Sequence, residues 1–351
     1  MREVTQLTIE ELKGKRVLVA ADLDVPLETG GGTDELSVAD DYRLRGVAET
    51  TRFLLGQRAI VILAGHLGRP KGQVVQELRM MPVVTRLREL LGQVDIFRAK
   101  SVVGVEVSKK AAELKPGQVL ILENVRFDPR EENNDADFAR ELAKLADYYV
   151  NELFSTSHRE HASIVSVPRL LPSYAGIRFA QEVRVLDKIR VQPERPLVFI
   201  VGGSKKGKVS FVKDIAVLAD EILLGGTLSY AQELEGVPKV RFPVDAVRID
   251  DIGPESVAMF CRIIHRAGTV VWAGPLGRFE DERYIKGSEK IAHCITESGC
   301  NSVVGGGDTL AMLGRLGLRE RFGFCSTGGG AMLEYLANGT LPGIEALEGG
   351  L

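Results

Sequence analysis

Short apolar runs alternate with stretches of helical spacing along the whole chain, and this alternation limits its possible folds more than any other feature. In the first half "RVLVAADLDV", "AIVILAG", "VDIFRA" and "QVLILENVRF" read as buried strands. Between them "DDYRLRGVAETTRFLLGQ", "MMPVVTRLRELLGQ" and "NDADFARELAKLADYYV" carry apolar residues at the helical period. The second half repeats the rhythm with "RPLVFIVGG", "EILLGGT", "VRFPVDA", "TVVWAGP", "NSVVGGGD" and "GFCSTGGG", and nearly all of these runs end in glycine. Alternating βα units build parallel sheets with helices on both faces.

A chain of 351 residues exceeds one ordinary core. The reading is therefore α/β, with two doubly wound, Rossmann-like parallel-sheet domains. The stretch "YAGIRFAQEVRVLDKIRV", closed by the prolines of "QPERP", is the helix expected to link them. The domains are expected over 1–175 and 176–338, the second including the linking helix. A net charge of −3 argues against a nucleic-acid or membrane-surface partner. The charged start "MREVTQLTIEELKGKRVLVAAD" lacks the apolar centre of a signal peptide, and no apolar run reaches transmembrane length. The expected location is cytoplasmic. Cys261, Cys294, Cys300 and Cys325 show neither CxxC nor zinc spacing and are expected to be reduced, mostly packed thiols.

Four turns carry the chemistry of the second half: "VGGSKKGKVS", "LGGTLS", "GGGDTLAM" and "STGGGAML". Glycine lets backbone approach a ligand closely, and the helix that follows offers amides and a positive dipole end. One such turn often just closes a corner. Several on one sheet favour a phosphate-rich ligand. Asp308 follows three glycines, where it could hold Mg²⁺ on a nucleotide or simply cap its helix. The first turn imitates a P-loop through Gly202 and Gly207–Lys208, but Val209 stands where a metal-binding hydroxyl belongs. The P-loop reading fails there, while Lys205 and Lys208 stay as phosphate ligands or solvated loop residues.

The first half concentrates cations instead. Arg43, His66, Arg69, Arg126 and Arg159 each stand in a loop or near an element end, and "HLGRPKG" follows directly on an apolar run. A solvated loop could carry any one of them. An arginine fork also suits carboxylate and phosphate oxygens. The HxxH pair in "SHREHAS" lacks a third metal ligand. A cationic half and a glycine-turn half suggest two anionic ligands meeting across a cleft.

Together the motifs resemble the phosphoglycerate kinase family. "HLGRPKG", residues 122–135, "YVNELFSTSHREHAS", "LPSYAG", "RPLVFIVGG", "DIGPES", "VVWAGPLGRFE", "SVVGGGDT", "STGGGAMLEYL" and "LPGIEAL" occur in that family's order over nearly the whole chain. The resemblance implies phosphoryl transfer between 1,3-bisphosphoglycerate and ADP, giving 3-phosphoglycerate and ATP, with Mg²⁺ on the nucleotide. It implies a monomer whose tail, 339–351, packs back on the first domain. The triose site would comprise Asp22, Asp24, Arg43, His66, Arg69, Arg126 and Arg159. The nucleotide site would comprise Lys205, Lys208, Gly226, Glu280, Gly307, Asp308, Thr309, Gly328 and Gly329, with Asp308 on the metal. Arg43, Lys205 and Lys208 would be the catalytic cations. The attacking oxygen is already ionised, so positioning and charge suffice without a general base.

This chain departs from the family at ligand positions. Ala20-Ala21-Asp22-Leu23-Asp24 stands for Arg-Val-Asp-Phe-Asn, Ala273 replaces an asparagine, and "GGTLS" replaces a three-glycine turn. Lys208 reaches the second lysine's place only through a gap, and several tens of residues are missing between Ala231 and Asp251. A second reading follows from these losses: a non-catalytic relative that binds a phosphorylated anion in a regulatory or scaffold role.

Overall fold

The computed structural model describes residues 1–29, 35–203, 207–247 and 250–350. The chain divides into two compact units, one of Met1–Glu182 with the segment from Thr340, the other of Val183–Gly339. The division falls inside the linking helix after Glu182, whereas the sequence reading puts it before that helix.

The first unit is built on six strands: β1 (Arg16–Ala21), β2 (Ile60–Ala64), β3 (Ile96–Arg98), β4 (Val119–Ile121), β5 (Tyr148–Glu152) and β6 (Ser173–Ala175). Their order is β3-β4-β2-β1-β5-β6, all parallel. Because both faces are covered, the strands read as unbroken apolar runs rather than alternating ones. Val17, Val19, Val61, Leu63, Val119 and Val150 are fully buried. Helix α1 (Tyr42–Gly56) turns Leu44, Val47, Ala48, Thr51 and Leu54 inward at the helical period.

Helix α2 (Ile177–Val191) leaves this unit. The sequence reading starts it at Tyr174, which instead pairs within β6. Likewise the tail of "NDADFARELAKLADYYV" is not helix: the helix closes at Ala143, and Tyr148 opens β5. There, side chains buried on both faces override the helical period. The sequence reading also assigns no helix to Val105–Glu113 or Pro254–Ile264, and both are helical.

The second unit repeats the plan with β7 (Leu197–Val201), β8 (Glu221–Leu224), β9 (Val240–Arg241), β10 (Thr269–Ala273), β11 (Asn301–Gly305) and β12 (Phe324–Ser326), in the order β9-β8-β7-β10-β11-β12. Its helices include α3 (Lys208–Ile215), α4 (Pro254–Ile264), α5 (Lys286–Ser298), α6 (Gly307–Arg315) and α7 (Gly329–Asn338). A last helix, α8 (Pro342–Glu348), belongs to the first unit, where the Gly343 amide donates to Ser157 O at 2.9 Å. Among the described residues no helix is long and apolar enough to cross a membrane.

The cysteine expectation needs correction. Cys261 on α4 and Cys294 on α5 form a disulfide, with Cα atoms 5.7 Å apart. The pairing hides in the sequence because the two residues are 33 apart and meet only when α4 packs on α5. Cys300 and Cys325 are free thiols, as expected.

The start of α2 rests on a buried acid. Thr50 donates to Glu152 Oε2 at 2.6 Å, the Phe179 amide donates to Oε1 at 3.0 Å, and Thr50 accepts the Ile177 amide at 2.9 Å. Burial pushes the Glu152 carboxyl up to about 8, against the hydrogen bonds of Thr50 and Phe179 and the charge of Arg178. An unfolded glutamate ionises near 4.3, so the folded chain keeps a proton that the unfolded chain has lost. Stability is then full at low pH and falls as pH rises through about 8. Denaturant unfolding at roughly pH 5.5, 7 and 9 should show that decline, with Glu152→Gln flattening it by up to about 1.4 kcal/mol per pH unit. An equal slope in both proteins would mean that Glu152 is ionised throughout.

Candidate functional site

In a parallel sheet every strand delivers its following turn to the same edge, the carboxyl end. In the first unit, β1 ends at Asp22–Asp24, β2 at Gly65–Arg69, β4 at Glu123–Arg126 and β5 in the turns that carry Arg159 and His161. Arg43 enters from the first turn of α1. Its guanidinium donates to Asp22 Oδ1 at 3.2 Å and to the Asp24 carbonyl at 2.9 Å.

Asp24 is more engaged than the sequence reading allows. The Gly68 amide donates to its Oδ1 at 2.8 Å, while its Oδ2 lies 3.6 Å from His66 Nε2 and 3.7 Å from Arg43 Nη1. Burial works to raise the Asp24 carboxyl, but His66, the Gly68 amide and Arg43 together hold it well below the usual carboxylate range. Asp22 is the opposite case. Burial outweighs the Arg43 charge and the Ser155 hydroxyl and raises it.

The remaining cations share one field. Arg126 donates to Gly68 O at 3.1 Å and feels the charge of Arg69. His161 is driven down to about 3, first by burial and then by the positive charges of Arg126, His66, Arg159 and His158. The structure thus brings Arg43, His66, Arg69, Arg126 and Arg159 to one strand edge. Arg69 and Arg159 are exposed there, and Arg43 and Arg126 are half-buried. The sequence reading uses His161 only as half of an HxxH pair. Its burial in the same cluster is a property of the fold.

Behind the cluster lies Glu131, fully buried, which accepts the Ser163 hydroxyl at 2.6 Å and the Ser163 amide at 3.0 Å. Burial raises its carboxyl to about 7, with those hydrogen bonds and Arg126 pulling the other way. No sequence signal marks it.

In the second unit the turns interlock through backbone groups and one threonine hydroxyl. Gly203 donates to Pro275 O at 2.7 Å, Gly226 to Leu276 O at 2.8 Å, and Thr227 Oγ1 to Gly203 O at 3.0 Å. A Cβ on Gly202 would stand 2.2 Å from Pro275 O, so only glycine fits between these turns. Helices α3, α6 and α7 begin at Gly207, Gly306 and Gly328, and no side chain caps any of the three. Their first-turn amides are left for an anion.

Asp308 is exposed in the first turn of α6. Thr309 is fully buried and its hydroxyl accepts the Gly274 amide at 2.9 Å, so its side chain ties two turns together. Lys208 opens α3 and sets its ammonium on the carbonyls of Gly202 and Ala273, the last at 3.3 Å. Those carbonyls offset a cation placed at the wrong end of a helix dipole. Gly307, Gly328 and Gly329 lie in the same turns, Gly226 follows β8, and Glu280 is exposed in the turn after β10. Lys205 lies outside the described residues.

Among the described residues no three His, Cys, Asp or Glu side chains gather to hold a metal. A single exposed carboxylate at a glycine turn suits Mg²⁺, which takes one or two protein carboxylates and completes its shell with substrate phosphates and water.

The phosphoglycerate kinase family profile matches residues 7–233 and 231–339. The phosphoglycerate kinase of Thermomicrobium roseum is 41% identical over 400 aligned residues, covering 99% of both chains. That of Moorella thermoacetica is 39% identical over 397, covering 98% of this chain and 99% of the other. An alignment of 400 positions against 351 residues requires gaps in this chain. The two profile matches meet at 231–233, where the sequence reading places the shortening. Among solved structures, phosphoglycerate kinase from Pyrococcus horikoshii superposes with a TM-score of 0.86 at 27% identity, covering 99% of both chains. That from Coxiella burnetii gives 0.79 at 29%, covering 99% of this chain and 98% of the other.

The held carboxylate of Asp24 makes a sharp test of the cationic edge. Asp24→Asn keeps an acceptor for the Gly68 amide and removes one negative charge beside His66 and Arg43. Phosphate binding, measured by calorimetry, should tighten several-fold. Because the Asp24 carboxyl ionises far below neutrality, the gain should persist down to about pH 5. Weaker binding in the variant would mean that the carboxylate's support of the 65–69 turn outweighs its charge.

Proposed function

The chain belongs to the phosphoglycerate kinase family, and from that premise we propose which of its groups hold the two substrates and how the transfer runs. The activity is reversible phosphoryl transfer between 1,3-bisphosphoglycerate and ADP, giving 3-phosphoglycerate and ATP, a step of glycolysis. Full-length similarity to named kinases favours this enzyme over a non-catalytic scaffold.

The triose binds at the carboxyl edge of the first unit's sheet. Its non-transferred phosphate and carboxyl end take Arg69, Arg126, Arg159 and His66, and Arg43 reaches the transferring group. The observation that carries this reading is the convergence of those five cations in one field, with Arg43 already held by Asp22 and Asp24. Preorganised cations lose little freedom when an anion replaces their internal partners.

The nucleotide's phosphates lie on the uncapped starts of α3, α6 and α7. Asp308 holds the magnesium, whose chemistry is to neutralise phosphate charge. Lys208 leaves the Gly202 and Ala273 carbonyls for the phosphate, joined by Lys205. Gly226, Gly307, Gly328 and Gly329 let the phosphates approach, Thr309 braces the turn from within, and Glu280 takes the ribose. The carboxylate of 3-phosphoglycerate is ionised at neutral pH, so no residue has to remove a proton. Positioning and cationic stabilisation carry the step. The same reading has the protein act as a cytoplasmic monomer, in keeping with small-molecule substrates and a net charge of −3.

A coupled assay of ATP-dependent 3-phosphoglycerate phosphorylation tests the activity, and its absence with folded protein would return the scaffold reading. Arg126→Ala should weaken 3-phosphoglycerate binding by on the order of 1.5–3 kcal/mol through loss of a charge-assisted pair. Unchanged affinity by calorimetry would remove Arg126 from the clamp. On the nucleotide side the shortened 231–251 connection leaves less chain to cover a base. ADP and GDP should therefore bind with similar, weak affinity and strong dependence on Mg²⁺, and Asp308→Ala should erase that dependence while leaving the fold intact. Tight, adenine-selective binding in the titration would show that another segment rebuilds the base pocket.

A further inference from the structure

The cations of the first unit come from turns that follow different strands. Arg126 leaves β4, whereas Arg159 and His161 leave β5. Two strands, β2 and β1, lie between β4 and β5, so sheet pairing alone does not fix one turn against the other.

Glu131 supplies the tie. It stands on the short helix Pro129–Glu132, just past the Arg126 turn, and is buried. Its Oε1 accepts the Ser163 hydroxyl and its Oε2 the Ser163 amide. Ser163 lies at the start of the π-helical turn Ala162–Ser166, which directly follows His161. An amide at the start of a helical turn has no partner within it. Tyr149 of β5 donates to the Ser163 carbonyl at 2.8 Å, and His161 Nδ1 lies 4.0 Å from Glu131 Oε1.

An uncharged side chain would serve Ser163 as well, without the cost of burying a carboxylate. What the carboxyl adds is a charge that responds to its surroundings near neutral pH. Burial raises it to about 7 against the Ser163 hydrogen bonds and the Arg126 charge, with Glu132 on its own helix adding to the rise. The other titratable groups facing it are His161 and Tyr149. His161 is driven down to about 3, and burial together with Glu131 pushes Tyr149 well above its ordinary value. Both are neutral at pH 7. Among these groups Glu131 is the one whose charge changes there.

We infer, on the reading of this edge as the triose clamp, that Glu131 is its positioning residue. It locks the Arg159–His161 turn to the Arg126 turn, and it takes up a solvent proton when an anion fills the edge. An anion offsets the Arg126 charge that favours the carboxylate, so the carboxyl gains affinity for a proton. The proton goes to Oε1, and the Ser163 hydroxyl turns from donor to acceptor across the same 2.6 Å contact. The Ser163 amide stays on Oε2 throughout. The tie thus survives the change of charge, and anion affinity falls as pH rises past about 7.

Inorganic sulfate is the probe, because unlike phosphate it stays dianionic over the range used. Calorimetry on the full chain in two buffers of different ionisation enthalpy reads affinity and proton uptake together. The wild type should take up a fraction of a proton per sulfate near neutrality, and bind about threefold more weakly at roughly pH 8.5 than at about pH 6. Glu131→Gln offers an oxygen to the Ser163 amide and an NH₂ to its hydroxyl, and is neutral at every pH. It should match the wild type at about pH 6, bind more tightly than it at roughly pH 8.5, and lose most of the proton uptake. Glu131→Ala should weaken sulfate about tenfold and raise the KM for 3-phosphoglycerate more than that for ADP. If that variant unfolds, Ser163→Ala removes one of the two bonds and should show the same pattern with a smaller loss. Wild-type uptake and pH slope in Glu131→Gln, or wild-type affinity in the alanine variant used, would overturn the inference. The clamp reading would stand in that case provided Arg126→Ala loses sulfate. No sulfate binding by the wild type would overturn both.

Discussion

The site in the first unit depends on how closely two strand ends approach. β1 and β2 pair in register from Arg16–Ile60 to Ala20–Ala64, so their turns leave the sheet side by side. At the first residue of the second turn, a Cβ on Gly65 would lie 2.4 Å from Ala21 O and 2.7 Å from Leu23 Cγ. Any side chain there would drive the "HLGRP" turn away from Asp22–Asp24. With glycine, Asp24 reaches the Gly68 amide and His66, and Arg43 can be held by both aspartates. His66 and Arg43 meet at Asp24 because one residue has no side chain.

In the proposed reading the two units meet anionic ligands by different physics. The first gathers whole charges, and it keeps them apart from collapse by pairing some with buried acids. Asp24 stays ionised because cations and an amide surround it, while Glu131 is raised to about 7 because burial outweighs the same kind of help. The second unit works with amides and glycine corners, and its one described lysine at the edge is parked on carbonyl oxygens. Backbone donors survive every substitution except proline. In the proposed reading such turns can tolerate a chain in which Ala273 and the "GGTLS" turn depart from the family pattern.

Much of this was legible in the sequence, for identifiable reasons. Doubly covered parallel strands are continuous apolar runs, so β1, β2, β7, β10 and β11 announce themselves, and glycine follows each of them except β1 at the candidate ligand edge. Two kinds of feature were not legible. Short strands such as Ser173–Ala175 and Tyr148–Glu152 abut helical sequence, and only sheet pairing decides them. Groups whose role depends on burial also stay hidden. Glu131, Glu152 and His161 look like surface residues of polar loops, and the disulfide joins cysteines that only helix packing brings together. Asp24 shows the limit most clearly. Its charge reads as repulsive toward an anion, yet the folded chain has given that charge three partners.

The shortened connection after Ala231 shows how the second unit stays closed with less chain. Among the described residues between the Gln232–Leu234 turn and α4, its strands are β9 and a small antiparallel ladder of Ala246–Val247 with Asp251–Ile252. Asp251 then plugs inward. Its Oδ2 accepts the Gly287 amide at 2.8 Å at the start of α5, and its Oδ1 accepts the Ile252 amide at 2.9 Å. Burial raises this carboxyl to about 6 against those two amides. The fit admits no side chain: a Cβ on Gly277 or Gly287 would lie 2.3 or 2.5 Å from Asp251 Oδ1. One buried acid between two glycines thus anchors the short connection to α5 and to the turn that precedes Glu280.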